Sequence, residues 1–145
     1  MSTKTIYEQD FYAWLMENAR LLRQGRLAEI DVHHIAEELE SMGRSERREL
    51  VNRLALLFAH LLKWQYQPQK RSPSWKYTIR EQRRAVLELL NDSPSLRYEL
   101  EKKLAEAYKK AILAAAKETR LSETRFPLVC PFTFEQALDE NFWPE

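Results

Sequence analysis

From Ser45 to Pro68 the chain reads "SERRELVNRLALLFAHLLKWQYQP". With residues set 100° apart around an axis, Leu50, Val51, Leu54, Leu57, Phe58, Leu61, Leu62 and Trp64 cover about half the circumference. A helix apolar this far round must be covered from several sides, which makes it the central helix of a bundle. The less apolar edge carries Arg53, His60 and Lys63.

The rest of the chain supplies the covering helices. In "DFYAWLMENARLLRQG", Phe11, Trp14, Leu15, Asn18, Leu21 and Leu22 share a face, and Gly25 is a stop signal. Asp31 is a natural N-cap for "DVHHIAEELESMG", whose apolar stripe is Val32, Ile35, Ala36, Leu39 and Met42, with Gly43 as its end and Ser45 capping the central helix. Ser72-Pro73 and Ser93-Pro94 each place a capping serine before a first-turn proline, opening a fourth and a fifth helix. The tail "RFPLVCPFTFEQALDENFWPE" is proline-punctuated and aromatic, too apolar to stay in water, with a capping box from Thr133 to Gln136 for one short helix. Only two glycines in 145 residues argue against tight-turned strands. The expectation is an all-α single domain over 1–145: a bundle of about five main helices over 1–120, and a C-terminal extension over 121–145 folded back on it.

Charge excludes a strong global field, since 23 basic residues face 22 acidic ones. The lone Cys130 has no disulfide partner, the N-terminus lacks a signal-peptide core, and no apolar run reaches the roughly 18 residues of a membrane span. A cytoplasmic protein without membrane attachment is expected. No phosphate loop, serine elbow or two-histidine zinc helix occurs, and no cofactor is implied.

The segments "DFYAWL", "EELESMG", "HLLKWQYQP", "SWKYTIREQRR", "SPSL", "KET" and "FPLVCPFTFEQALDENFWP" follow one another in an order that resembles the bacterial, largely cyanobacterial, all-helical family catalogued as domain-of-unknown-function family twenty-nine. The resemblance implies a helical bundle of unassigned activity. Its motif residues fall here on Trp14, Glu37, Glu38, Gly43, His60, Lys63, Trp64, Trp75, Thr78, Gln82, Arg83, Glu118, Thr119, Pro127, Cys130 and Pro131. His33 and His34 are outside that pattern.

Three sites compete. His33 and His34, paired at i,i+4 with Glu37 and Glu38 on the solvent side of their helix, supply too few ligands to close a metal site, so no metal is expected. A catalytic reading makes His60 a general base, with Lys63 or Arg83 stabilising an anion and Glu37 or Glu38 orienting the imidazole of a hydrolase or nuclease-like enzyme. A structural reading makes His60 and Gln82 satisfied core polar groups that fix helix register, with Asn18 a buried amide and Glu118 or Glu38 neutralising Arg83.

The third site is the hairpin from Lys63 to Arg84, where seven basic residues meet one acidic residue and Trp64, Tyr66, Trp75 and Tyr77 are interleaved. That composition suits phosphate contact and base stacking. The expected function is non-enzymatic binding of a macromolecule, nucleic acid or protein, through Lys63, Lys70, Arg71, Lys76, Arg80 and Arg84. Homo-oligomerisation through the aromatic tail or the alanine-rich face of the fifth helix is left open.

Overall fold

The computed structural model describes residues 3–145, and in them the chain forms six α-helices and three single-turn 3-10 helices with no strand. The α-helices are α1 (Thr3–Gln9), α2 (Phe11–Arg23), α3 (Val32–Tyr66), α4 (Pro73–Asp92), α5 (Leu100–Thr119) and α6 (Phe134–Leu138). The all-α class read from the sequence is the observed one. By internal contacts the chain divides into two compact units, Met1–Ser45 and Glu46–Glu145, with α3 continuous through the boundary.

The continuity of α3 corrects the stop expected at Gly43. Gly43 costs roughly 1 kcal/mol relative to alanine inside a helix, which one interior glycine in a 35-residue helix can bear. Ser45 is a helical residue rather than a cap. A second correction concerns α5. Pro94–Arg97 forms a separate 3-10 turn, and Glu99, at φ 51° and ψ 40°, breaks the chain direction before α5 begins at Leu100. The buried Lys103 ammonium ties that break down by donating to the carbonyls of Leu96 (2.7 Å) and Tyr98 (2.8 Å). A third helix end was not foreseen at all: α1 precedes α2, and Asp10 caps α2 by accepting from the Ala13 amide.

In the first unit the buried face of α2 is the centre of the expected one, and that of α3 is rotated. Trp14, Asn18 and Leu21 of α2 are buried, whereas Phe11, Leu15 and Leu22 are more than two-fifths exposed. The apolar stripe Val32, Leu39 and Met42 of α3 is 63–66% exposed, and the polar residues Asp31, His34 and Glu38 turn inward instead. The reason is a hydrogen-bond network that outweighs the stripe. Asp31 is buried and accepts from the Trp14 indole (3.0 Å) and from His34 Nδ1 (2.7 Å). Its own amide donates to the Asn18 side chain (2.9 Å), whose nitrogen reaches back to the Trp14 carbonyl (2.9 Å). Tyr7 stacks on His34 at 3.9 Å and donates to Glu38 at 2.5 Å.

The second unit has the core the sequence describes. Leu50, Val51, Leu54, Leu57, Phe58, Leu61 and Leu62 of α3 are enclosed with Ile79, Val86 and Leu90 of α4 and Ala107, Tyr108, Ala111 and Ala115 of α5. The extension packs onto them through Phe126, Phe132 and Ala137, and α6 carries the Thr133–Gln136 capping box.

Candidate nucleic-acid interface

The α3–α4 connection is short because Pro68 starts a single 3-10 turn and Ser72, accepting from the Trp75 amide at 3.2 Å, caps α4 with Pro73 in its first turn. The cap sets the phase of α4. Ile79, Gln82, Arg83, Val86 and Leu90 then point into the core, and Lys76, Arg80 and Arg84 recur every fourth residue on the exposed side. These three cations form a ridge about 12 Å long at 1.5 Å per residue.

Beside the start of that ridge lies an open groove of about 410 Å³, lined by Trp64, Arg71, Ser72, Pro73, Lys76, Tyr77 and Arg80. Arg71 forms one wall. Its guanidinium sits 4.9 Å from the Trp64 ring centroid, donates to the Trp64 carbonyl (2.8 Å) and reaches the Pro144 carbonyl (3.3 Å). Trp143 packs on the Trp64 ring at 4.7 Å, so that indole is a fixed floor. Tyr77 stands 64% exposed, with the Arg80 guanidinium 5.9 Å from its centroid. Among the described residues, Lys70, Arg71, Lys76, Arg80 and Arg84 take no ion pair, although each is exposed.

Lys63 leaves this set. It is buried, paired with Glu118 Oε2 at 2.6 Å and seated 4.7 Å from the Trp75 centroid, because the carboxylate at the end of α5 neutralises it inside the unit. His60 lies one turn before it, with Nδ1 3.0 Å from the Leu56 carbonyl. A carbonyl only accepts, so Nδ1 carries the proton and Nε2 is the free nitrogen. Burial pushes the His60 imidazole below its ordinary value, partly offset by the Leu56 bond; the Lys63 charge lowers it further and Glu118 raises it. The structure thus brings His60, Lys63, Trp75 and Glu118 together, but Glu118 occupies the cation that an anion would need. Glu37 and Glu38, the other candidate orienting carboxylates, bond to His33 (3.1 Å) and Tyr7 in the first unit.

Of the remaining polar candidates, Asn18, Gln82 and Arg83 are enclosed. Asn18 belongs to the Asp31 network. Gln82 accepts from Arg53 at 3.3 Å. Arg83, 1% exposed, donates to the carbonyls of Ala137 (2.7 Å) and Phe142 (2.7 Å), and lies 5.2 Å from the Trp143 centroid. Glu118 stays half exposed beyond its bond to Lys63.

Sequence reasoning placed His34 in solvent. It is instead the partner of Asp31, whose carboxyl burial pushes up and the bonds from His34 and Trp14 pull down, leaving it below its ordinary value. The signal was present in the spacing: residues three apart at a helix start are neighbours, so the His34 ring can reach the carboxylate of the N-cap Asp31. A Trp14 indole in the core also requires an acceptor. Among the described residues no group of three or more His, Cys, Asp or Glu gathers as a metal site would require, and no helix is long and apolar enough to cross a membrane.

No curated protein and no solved structure matches the chain. A family model does, across residues 6–143, so that nearly every residue discussed above falls within the match: the chain belongs to the family described as Domain of unknown function DUF29.

Proposed function

We propose that this protein binds single-stranded nucleic acid along the α4 ridge and the groove at its start. The observation that carries the reading is the set of exposed, unpaired cations, Lys70, Arg71, Lys76, Arg80 and Arg84, around an exposed tyrosine in a chain whose net charge is only +1. Cations left without carboxylate partners keep their full attraction for phosphate. An exposed aromatic face beside them accepts a base of any identity, which gives binding with little sequence preference. Arg71 and Trp64 build the groove wall, while Lys76, Tyr77, Arg80 and Arg84 are free to contact a ligand. The His60 cluster takes no part, and binding proceeds without bond making.

The test is fluorescence anisotropy with a labelled oligothymidylate across a salt series. Replacing Lys76, Arg80 and Arg84 by glutamate removes about three phosphate contacts, and at roughly 0.7 per contact the slope of log K against log salt should flatten by about 2. Tyr77→Ala should weaken binding by about 1–3 kcal/mol, the range for loss of one stacked base. Unchanged affinity and slope in the triple variant would exclude this surface. The helices should survive, because all four side chains are exposed.

A further inference from the structure

On a different face of the second unit, α5 and the segment after it enclose a cavity of about 620 Å³ whose interior is apolar and aromatic, with Leu100, Leu104, Phe132 and Phe134 among its walls. Its rim carries an apolar projection. Leu128 and Val129 are 97% and 79% exposed, far more than any burial argument for an aliphatic pair would allow. The projection is held in place rather than left loose. Pro127 and Pro131 bracket it, the Tyr108 hydroxyl donates to the Pro127 carbonyl at 2.6 Å, and the Cys130 thiol contacts the Phe132 carbonyl at 3.5 Å. A fixed apolar knob therefore stands at the mouth of an apolar hole.

The charges on the same rim select the occupant. Arg97 and Lys109 are balanced by Glu101 and Glu135, and none of the four takes an ion pair among the described residues. A polyanion would call for one sign, as on the α4 ridge. Two charges of each sign around a knob and a hole make a surface complementary to itself, which is what a two-fold interface requires, since each copy presents both halves of every contact.

We infer that this face joins two copies of the chain, each seating Leu128 and Val129 in the cavity of the other, with Glu101 of one copy opposite Lys109 of the other. Fifteen residues line the cavity, against about 20–30 a side in a standard interface of roughly 800 Å² per partner. The dimer is accordingly a small, reversible one, populated at micromolar concentration and above.

Sedimentation velocity on the full chain from about 1 to 200 µM is the test. The native protein should move from monomer to dimer across that range. Leu128→Asp should raise the dissociation constant at least tenfold with an unchanged helical circular dichroism spectrum, because the side chain is outside the core. Glu101→Lys and Lys109→Glu should each weaken the dimer, and the two together should restore it. A monomer at every concentration overturns the inference, whether or not the cavity then takes a small apolar molecule. A dimer indifferent to Leu128→Asp, or a double variant no better than the singles, overturns it as well.

Discussion

Replacing Arg83 by methionine keeps the apolar stem of the side chain and removes its guanidinium from the interior. Two bonds of 2.7 Å, to the carbonyls of Ala137 and Phe142, are lost, and hydrogen bonds from a charged donor contribute about 1.5–3 kcal/mol each. The gross loss is then about 3–6 kcal/mol. Against it stands relief from burying a cation: burial already pulls the Arg83 guanidinium below its ordinary value, with Asp139 and Glu140 opposing, and Nη1 has no hydrogen-bond partner among the described residues. An unmatched buried donor costs about 1–3 kcal/mol, so the net destabilisation of Arg83→Met is about 2–3 kcal/mol. Urea unfolding in a Trp14→Phe background isolates the second unit, since Trp64, Trp75 and Trp143 all lie there. The same variant should lose its segment after Phe126 faster in limited proteolysis, because both lost acceptors belong to that segment. If stability changed by less than about 0.5 kcal/mol, or if the segment resisted protease as in the native chain, the aromatic contacts alone would hold it and the clamp argument would fail.

His33 and His34 are neighbours with unequal consequences. His34→Ala removes a ring stack and a bond to buried Asp31 and should cost about 1–2 kcal/mol, whereas His33→Ala should stay within about 0.5 kcal/mol; equal losses in chemical denaturation would contradict the network. His60 titrates below the ordinary histidine value of 6.5 in the folded chain. The unfolded state therefore binds more protons as pH falls through that window, so this part of stability is complete above pH 6.5 and declines toward the lower folded value. Urea midpoints at about pH 8 and about pH 5.5 should differ less in His60→Gln than in the native protein; an undiminished difference would assign the effect to another group.

Legibility in the sequence tracked the strength of the apolar signal. The central run from Leu50 to Leu62, the proline-opened α4 and the capping box of α6 all declare themselves through side chains that have one physical use. Where a short apolar stripe competed with a buried polar network, the stripe misled: Val32, Leu39 and Met42 face out because Asp31, His34 and Trp14 satisfy one another inside. Helix ends were the weakest reading. Gly43 is a stop only when tertiary contacts favour stopping, and no local pattern announced the left-handed Glu99 before α5. In the basic hairpin, composition grouped Lys76, Arg80 and Arg84 with Lys63, and only the fold places the three outside the core. Composition could not assign Lys63, whose partner Glu118 lies 55 residues away in sequence.

None of residues 39–49 of α3 is buried. Apart from its own backbone bonds that stretch has exposed pairs such as Arg44 with Glu40 at 4.0 Å, each worth a few tenths of a kcal/mol, and one half-exposed tie near its C-terminal end, Arg47 to Glu106 at 3.0 Å. A helix so short and so solvated would be marginal alone, because its first turn fixes several dihedrals for a single hydrogen bond. Here no such nucleation is needed. The Asp31 cap anchors one end and the Leu50 core the other, so the stretch only propagates a helix that has already begun on both sides. Its order is therefore conditional on the anchors: loosening the Asp31 cap, as protonation of that carboxylate would, shortens α3 inward from that end.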